Sequence, residues 1–155
     1  MKTVAEAKEE FFDALVPGSD PVDCPCCNRH AEVHRRTISA IQARSLQELE
    51  RLGGRERFVD RKDLAKALAE VFPDVADPLC DWGSLTLWGV IVNKSDRPEH
   101  LSASGKWMLT KRGLRFLRGD LRLPRHCWEL FMVPQEFSEE TASIDEALGK
   151  RRVRP

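Results

Sequence analysis

The sequence lacks a long apolar run and a net charge. Hydrophobic residues make up 41% of the 155 positions, yet no run approaches the roughly 18 residues that a membrane-spanning helix needs. Residues 1–18 are acidic and amphipathic rather than basic and then apolar, so they do not follow the pattern of an export signal. We therefore predict a cytoplasmic protein with no membrane partner, and one domain's worth of chain with short appendages.

The sequence also lacks a disulfide framework. Its five cysteines are an odd number, and three of them fall within residues 24–27. Closely spaced, unpaired cysteines are typical of a reducing compartment. We expect reduced thiols.

Signatures of catalysis are missing as well. There is no phosphate-binding loop, and Gly53-Gly54 ends a helix instead. Ser102 and Ser104 stand near His100 in a polar stretch, with no residue to orient a base. No pair of carboxylates occupies an apolar setting that would separate their acidities. The sequence predicts that the protein is not an enzyme.

The charges balance, with 25 basic and 25 acidic residues, but they are segregated. Residues 106–126 contain seven basic residues against one acid, whereas residues 1–23 contain six acids and two lysines. Residues 136–146 add five acids and no base. Such asymmetry suits either an anion-binding face or internal charge pairing.

Apolar spacing and capping residues predict the order of elements. Thr3 and Glu6 form a capping box for the first helix, Asp60 is an N-cap, and Thr110 caps a short helix. The predicted helices cover residues 4–15, about 37–52, 61–72, 78–88 and 111–118. The predicted strands are residues 55–59, 90–94 and 106–110; residues 121–135 have strand character, and residues 141–149 could form a terminal helical turn.

Residues 38–119 thus read helix, strand, helix, helix, strand, loop, strand, helix. This order predicts an α+β fold of the winged-helix class, in which three helices pack on a hairpin whose loop is the wing. A generic α+β domain with the same elements is the alternative. The predicted division is an N-terminal helix (1–23), a cysteine- and histidine-rich turn (24–37), a winged-helix domain (38–120) and C-terminal strands with a basic tail (121–155).

Five segments carry a resemblance, in this order: "CPCCNRHAEVHRR", "LTLWGVI", "GKWMLTKRGLRFLRG", "LRLPR" and "IDEALGK". They resemble a family of uncharacterised small proteins of phages and bacterial genomes. The third segment is also similar to the wing strand and following helix of winged-helix regulators of the MarR and PadR type. The resemblance implies a small winged-helix protein of a bacterial or phage-infected cell. This chain departs from the family at Asn28, where glycine is usual, and at His30 and His34, where aromatic residues are usual.

The cysteine-rich turn has the spacing of a zinc knuckle at Cys24 and Cys27. If the chain becomes helical after Cys27, His30 and His34 lie one turn apart on the same face and could complete a Cys2His2 zinc site. The space between knuckle and histidines is short, so Cys26, Cys80 or Cys127 could substitute. A turn of reduced cysteines without metal remains open, as does a redox pair; a His-Asn-His nuclease is excluded because no histidine precedes the turn.

A basic strip could bind nucleic acid, as could a second cluster at residues 29–36. The candidate phosphate contacts are Lys106, Lys111, Arg112, Arg115, Arg118, Arg122 and Arg125, together with Arg29, Arg35 and Arg36. About half a dozen such contacts give salt-sensitive binding of modest affinity. The third predicted helix, residues 78–88, argues against conventional DNA reading, because it has no lysine or arginine and begins beside aspartates.

The tryptophans are expected to serve packing. Trp82, Trp88 and Trp107 fall where the third helix meets the hairpin, so burial is favoured over base stacking. Trp128 lies in a strand with apolar residues on both sides of Glu129, which indicates burial against another element or against a second copy in a homodimer. The leading hypothesis is double-stranded DNA binding by a transcriptional regulator; the competing one is a protein-interaction module on the same scaffold.

Overall fold

The structure is a computed structural model that describes residues 1–18, 20–94 and 105–149. Over these ranges the chain is α+β, and its strands pair in antiparallel sheets. The predicted wing, the serines and histidine of the polar stretch at 95–104, and the basic tail lie outside the described residues. Within the described ranges no helix is long and apolar enough to cross a membrane.

The N-terminal helix confirms the capping prediction. Helix α1 (Val4–Ala14) begins at Thr3, whose side chain accepts a hydrogen bond from the backbone N–H of Glu6, while the Glu6 carboxylate accepts one from the N–H of Thr3. No residue of α1 itself is buried. Leu15, directly after the helix, is the first residue of the chain to enter a core.

Strands, not a helix, follow the cysteines. Strands β1 (Val22–Asp23) and β2 (His30–Ala31) form a hairpin around the turn, and β3 (His34–Thr37) follows. The second predicted helix therefore starts later than residue 37: α2 spans Ala40–Arg51. Ser39 fixes its start through a capping box with Gln42.

The next helix matches the prediction, whereas the strand before it is shorter and later than the predicted residues 55–59. Strand β4 (Val59–Asp60) leads into α3 (Arg61–Val71), and the Asp60 side chain caps this helix by accepting a hydrogen bond from the N–H of Lys62 at 2.9 Å. Leu64 and Leu68, one turn apart, are buried.

The third predicted helix is wrong in its type and in its first turn. Only Trp82–Trp88 is helical, and it is a 3-10 helix that ends at Gly89, whose φ is 68°. The buried residues Trp82, Leu85 and Trp88 recur every three positions, which is the period of a 3-10 helix. Asp77, predicted to open the helix, caps a turn instead by accepting from the N–H of Leu79.

The predicted hairpin is confirmed. Strand β5 (Ile91–Asn93) pairs with β6 (Lys106–Leu109), and β4 joins on the other side of β6, so the sheet order is β4-β6-β5. Helix α4 (Lys111–Leu117) follows at once, capped by Thr110, which accepts from the N–H of Gly113 at 3.0 Å. Gly113 lies so close to β5 that a Cβ there would be 2.2 Å from the carbonyl oxygen of Val90.

The C-terminal region supplies four strands and a helical turn. They are β7 (Leu123–Pro124), β8 (His126–Leu130), β9 (Val133–Phe137), β10 (Thr141–Ala142) and α5 (Ile144–Ala147). Strand β8 is the centre of a second sheet, β3-β8-β9, and β7 pairs with β10. The C-terminal strand β8 thereby pairs with β3 from the N-terminal part of the chain.

The described residues form two hydrophobic core clusters. The large one joins α2, α3, the 3-10 helix, α4 and the β4-β6-β5 sheet to Leu123, Cys127 and Ile144 of the C-terminal region. It contains Trp82, Trp88 and Trp107, whose predicted burial is confirmed. The small one consists of Leu15, Ala31, Val33 and Leu130, with Phe11, Val22 and Trp128 packed at its edge.

Candidate functional site

The cysteine turn is a closed, ordered loop between β1 and β2. The N–H of Cys24 donates to the carbonyl of Arg29, and the N–H of Asn28 donates to the carbonyl of Cys24, both at 2.8 Å. Asn28 has a φ of 60°, a left-handed conformation that asparagine tolerates better than most residues.

The turn presents its sulfur atoms outward. Cys26 and Cys27 are exposed and Cys24 is partly exposed. The pKa of the Cys24 thiol is lowered, first by a hydrogen bond from the backbone N–H of Cys26 and next by one from the N–H of Cys27. Donors that converge on one sulfur stabilise its thiolate, which is the form that binds metals.

The helix on which the Cys2His2 prediction depended does not form. His30 and His34 lie on extended chain, where alternate residues share a face. They line one cleft of about 340 Å3. Within the described ranges, no three Cys, His, Asp or Glu side chains stand close enough together to hold a metal ion. The four predicted ligands Cys24, Cys27, His30 and His34 are therefore not assembled into a single group.

The cleft beside the histidines contains an ion pair with a buried carboxylate, which the sequence did not predict as a site. Its lining comprises His30, Glu32, His34, Arg36, Glu129, Phe131 and Met132. The Glu129 side chain is 2% exposed and accepts a hydrogen bond from Arg36 Nε at 3.2 Å. The apolar residues on both sides of Glu129 predicted its burial, but the sequence could not show that Arg36 is its partner.

The rim of the cleft is an exposed apolar turn. Phe131 and Met132 join β8 to β9 with φ values of 50° and 62°, and both side chains are exposed. Large side chains are rare at positive φ, where Asn and Gly are preferred. The N–H of Met132 donates to Glu129 Oε2 at 2.8 Å, so the buried carboxylate also holds the turn.

Helix α4 gathers the predicted basic strip on its outward face. Lys111, Arg115 and Arg118 are exposed and follow one another at helical spacing, opposite the buried Gly113 and Phe116. Among the residues that the structure describes, these three cations have no acidic partner. Arg112 is also exposed, but its Nε donates to the carbonyl of Trp88 at 2.8 Å and so has a structural contact.

Other members of the predicted strip are held by acids. Arg122 pairs with Glu146 at 2.7 Å, and Arg125 pairs with Glu140 at 3.1 Å. Arg36 pairs with Glu129 and lies 3.7 Å from Asp81. These contacts represent the internal charge pairing that the charge segregation left open as an alternative.

Two more predicted contacts, Arg35 and Lys106, lie on strands. Arg35 is exposed on β3, opposite Trp128 in the register with β8. Lys106 is exposed on β6, opposite Asp60. Both can be reached by solvent ions.

The 3-10 helix offers little to a nucleic acid. All of its residues are buried or half-buried except Thr86. Gln42, from α2, donates to Ser84 and to the carbonyl of Asp81, so the polar groups at its start face the interior of the molecule. The buried 3-10 helix therefore adds to the argument against sequence-specific DNA recognition by the third helical segment.

Comparison with protein families, with curated proteins and with solved structures gives no match.

Proposed function

We propose that this protein is a small winged-helix protein that binds double-stranded DNA through the cations of α4. The winged-helix assignment is supported by the order α2, β4, α3, 3-10 helix, β5, β6, α4, in which three helical segments precede and pack on a hairpin. The exposed cations on the outward face of α4 support DNA binding. We propose a regulatory role in the cytoplasm of a bacterial or phage-infected cell, in keeping with a winged-helix protein that binds DNA.

The observation that carries the proposal is the face formed by Lys111, Arg115 and Arg118. It combines exposure, helical spacing and the lack of an acidic partner in the described ranges. Lys106 precedes it on β6 and Arg112 flanks it. Phosphates need no particular side-chain geometry beyond accessible positive charge, so this face suffices for backbone contact.

The expected affinity is modest and depends on salt. Three to five phosphate contacts give a slope of log K against log salt of roughly −3 to −4.5. Phosphate contacts carry no sequence information, and Thr86, the one exposed residue of the 3-10 helix, already donates its hydroxyl to the carbonyl of Gly83 at 2.7 Å. We therefore expect binding with little preference for sequence.

The test replaces Arg115 and Arg118 with glutamate and measures fluorescence anisotropy on a short labelled duplex at about 50 mM salt. The wild type should bind at micromolar concentrations. The variant should bind at least about tenfold more weakly, and its salt slope should fall by about two. No binding by the wild type at tens of micromolar ends the proposal.

The matched control is Lys62→Glu with Lys66→Glu on α3. Both lysines are exposed, and the double substitution changes the net charge by the same amount. If α4 is the contact surface, this control should bind like the wild type. Loss of binding in the control with retention in the α4 variant would assign the contact to the helices before the hairpin and contradict the proposal.

A second candidate is the protein-interaction module. It is favoured by the exposed Phe131–Met132 turn, which presents apolar side chains and is held in place by a buried carboxylate. Exposed apolar groups on a fixed turn suit a protein partner better than a phosphate backbone. Under this candidate, substitution of the turn disrupts partner capture, and the α4 charge reversal leaves it intact.

A further inference from the structure

The cysteine hairpin has the backbone of a metal knuckle. Strands β1 and β2 bring the chain back on itself, and the crossed hydrogen bonds Cys24 N–H to Arg29 and Asn28 N–H to Cys24 fix the loop between them. Cys26 and Cys27 are exposed in this loop and Cys24 is partly exposed, so the turn presents its cysteines to solvent. A tight Cys-x-x-Cys turn of this kind directs two sulfurs to one cation.

One chain supplies only half of a closed site. A structural zinc ion takes four ligands in a tetrahedron, yet no third Cys, His, Asp or Glu joins Cys24 and Cys27 among the described residues. Cys127 is fully buried in the large core, and the residues outside the described ranges contain no cysteine. A second copy of the same turn can supply two more thiolates.

We propose that a zinc ion joins two copies of this chain, bound by Cys24 and Cys27 of each. A two-fold axis through the metal makes the two turns equivalent, so each copy contributes the same surface. Binding is balanced as Zn2+ plus four thiols giving one zinc tetrathiolate and four protons. The resulting centre carries two negative charges, and each copy brings one arginine, Arg29, in the same turn.

The surface beside the turn fits a second copy. Helix α1 packs against β1. Val4 and Phe12 on this helix and Val16 just after it are exposed, and exposed apolar side chains on the segment that precedes the turn suit contact with a second copy. The small core under the turn has only four buried residues, and small units of this size are often completed by a metal or by association.

The proposal is independent of DNA binding and concerns a different surface. The experiment uses the full chain, purified with reductant and without added metal, and titrated with zinc chloride. Mass is followed by light scattering and zinc by elemental analysis. We expect a change from 17.7 kDa to twice that mass, a zinc content of one ion per two chains, and reversal by a chelator. Cobalt(II) in place of zinc should give the absorption of a tetrahedral thiolate site.

Variants separate the two proposed ligands from their neighbours. Cys24→Ser and Cys27→Ser should each abolish zinc-dependent dimer formation, whereas Cys26→Ser and Cys80→Ser should retain it. Circular dichroism on each variant reports folding, and Cys26→Ser is the matched control within the same turn. One zinc per monomer, no zinc uptake, or a dimer that resists chelator but yields to reductant would each overturn the proposal.

Discussion

The guanidinium of Arg36 lies 3.2 Å from the carboxylate of Glu129 and joins β3 to β8 below an exposed turn. Glu129 is buried, whereas Arg36 is partly open to solvent. The second carboxylate oxygen of Glu129 accepts from the N–H of Met132. One buried charge thus connects the β3-β8-β9 sheet to the conformation of its outermost turn.

Replacement of Arg36 by methionine should destabilise the protein by about 3 kcal/mol, because it leaves the Glu129 carboxylate buried without its cation. Urea denaturation measures the loss. The double variant Arg36→Met with Glu129→Gln should recover much of it, since glutamine is neutral and can still accept from Met132. The neighbouring Arg35→Met, on an exposed side chain, should change stability by less than about 0.5 kcal/mol; equal effects at both arginines would refute the role given to the pair.

Stability should fall in alkaline solution because of Cys127. Burial, with a smaller contribution from the charge of Glu129, raises the pKa of this thiol from 9.0 to about 11. The folded state therefore keeps a proton that the unfolded chain loses above pH 9. The contribution is complete below that pH and is lost as the pH rises through 11, by up to about 3 kcal/mol.

Urea midpoints measured from neutral pH to about 10.5 test this, with Cys127→Ala as the comparison. The chain has no tyrosine, so fewer groups titrate over the same range. The alanine variant should begin less stable because of the small cavity, but its stability should decline less steeply. Parallel declines in the two proteins would show that the thiol is not responsible.

Substitutions in the turn between β8 and β9 should increase the stability of the protein. Phe131→Asn with Met132→Gly places the residues preferred at positive φ in a two-residue hairpin turn and should stabilise the protein by about 1–2 kcal/mol. Thermal unfolding measures the gain. Phe131→Ala with Met132→Ala removes the same apolar side chains but keeps the unfavourable backbone, so it should gain little; an equal rise in both variants would mean that exposure, not backbone strain, was the cost.

Capping residues were the most reliable guide to the fold. Thr3, Asp60 and Thr110 each begin a helix where the sequence predicted one, because their side chains satisfy backbone N–H groups within three residues. The β5-β6 hairpin was also predicted, since its branched and aromatic residues alternate between buried and exposed faces. Local chemistry is sufficient for such elements.

What could not be predicted depends on distant partners. Residues 34–37 form a strand because β8, about ninety positions away, pairs with them. The sequence predicted phosphate contacts at Arg36, Arg122 and Arg125 because their acidic partners are remote in sequence and could not be recognised. The composition showed that charges were segregated, but not which of them pair with each other.

The placement of Ile144 has a practical consequence for dividing the chain. This side chain, from the last helical turn, lies in the large core beside the helices, and Arg122 is bonded to both Thr141 and Glu146. An expression fragment that stops after α4 would therefore lack the Ile144 side chain in the large core and would lose the pairing of β7 with β10. Any shortened version intended for crystallisation or binding assays should extend at least to Leu148, and fusion partners are better attached beyond that residue.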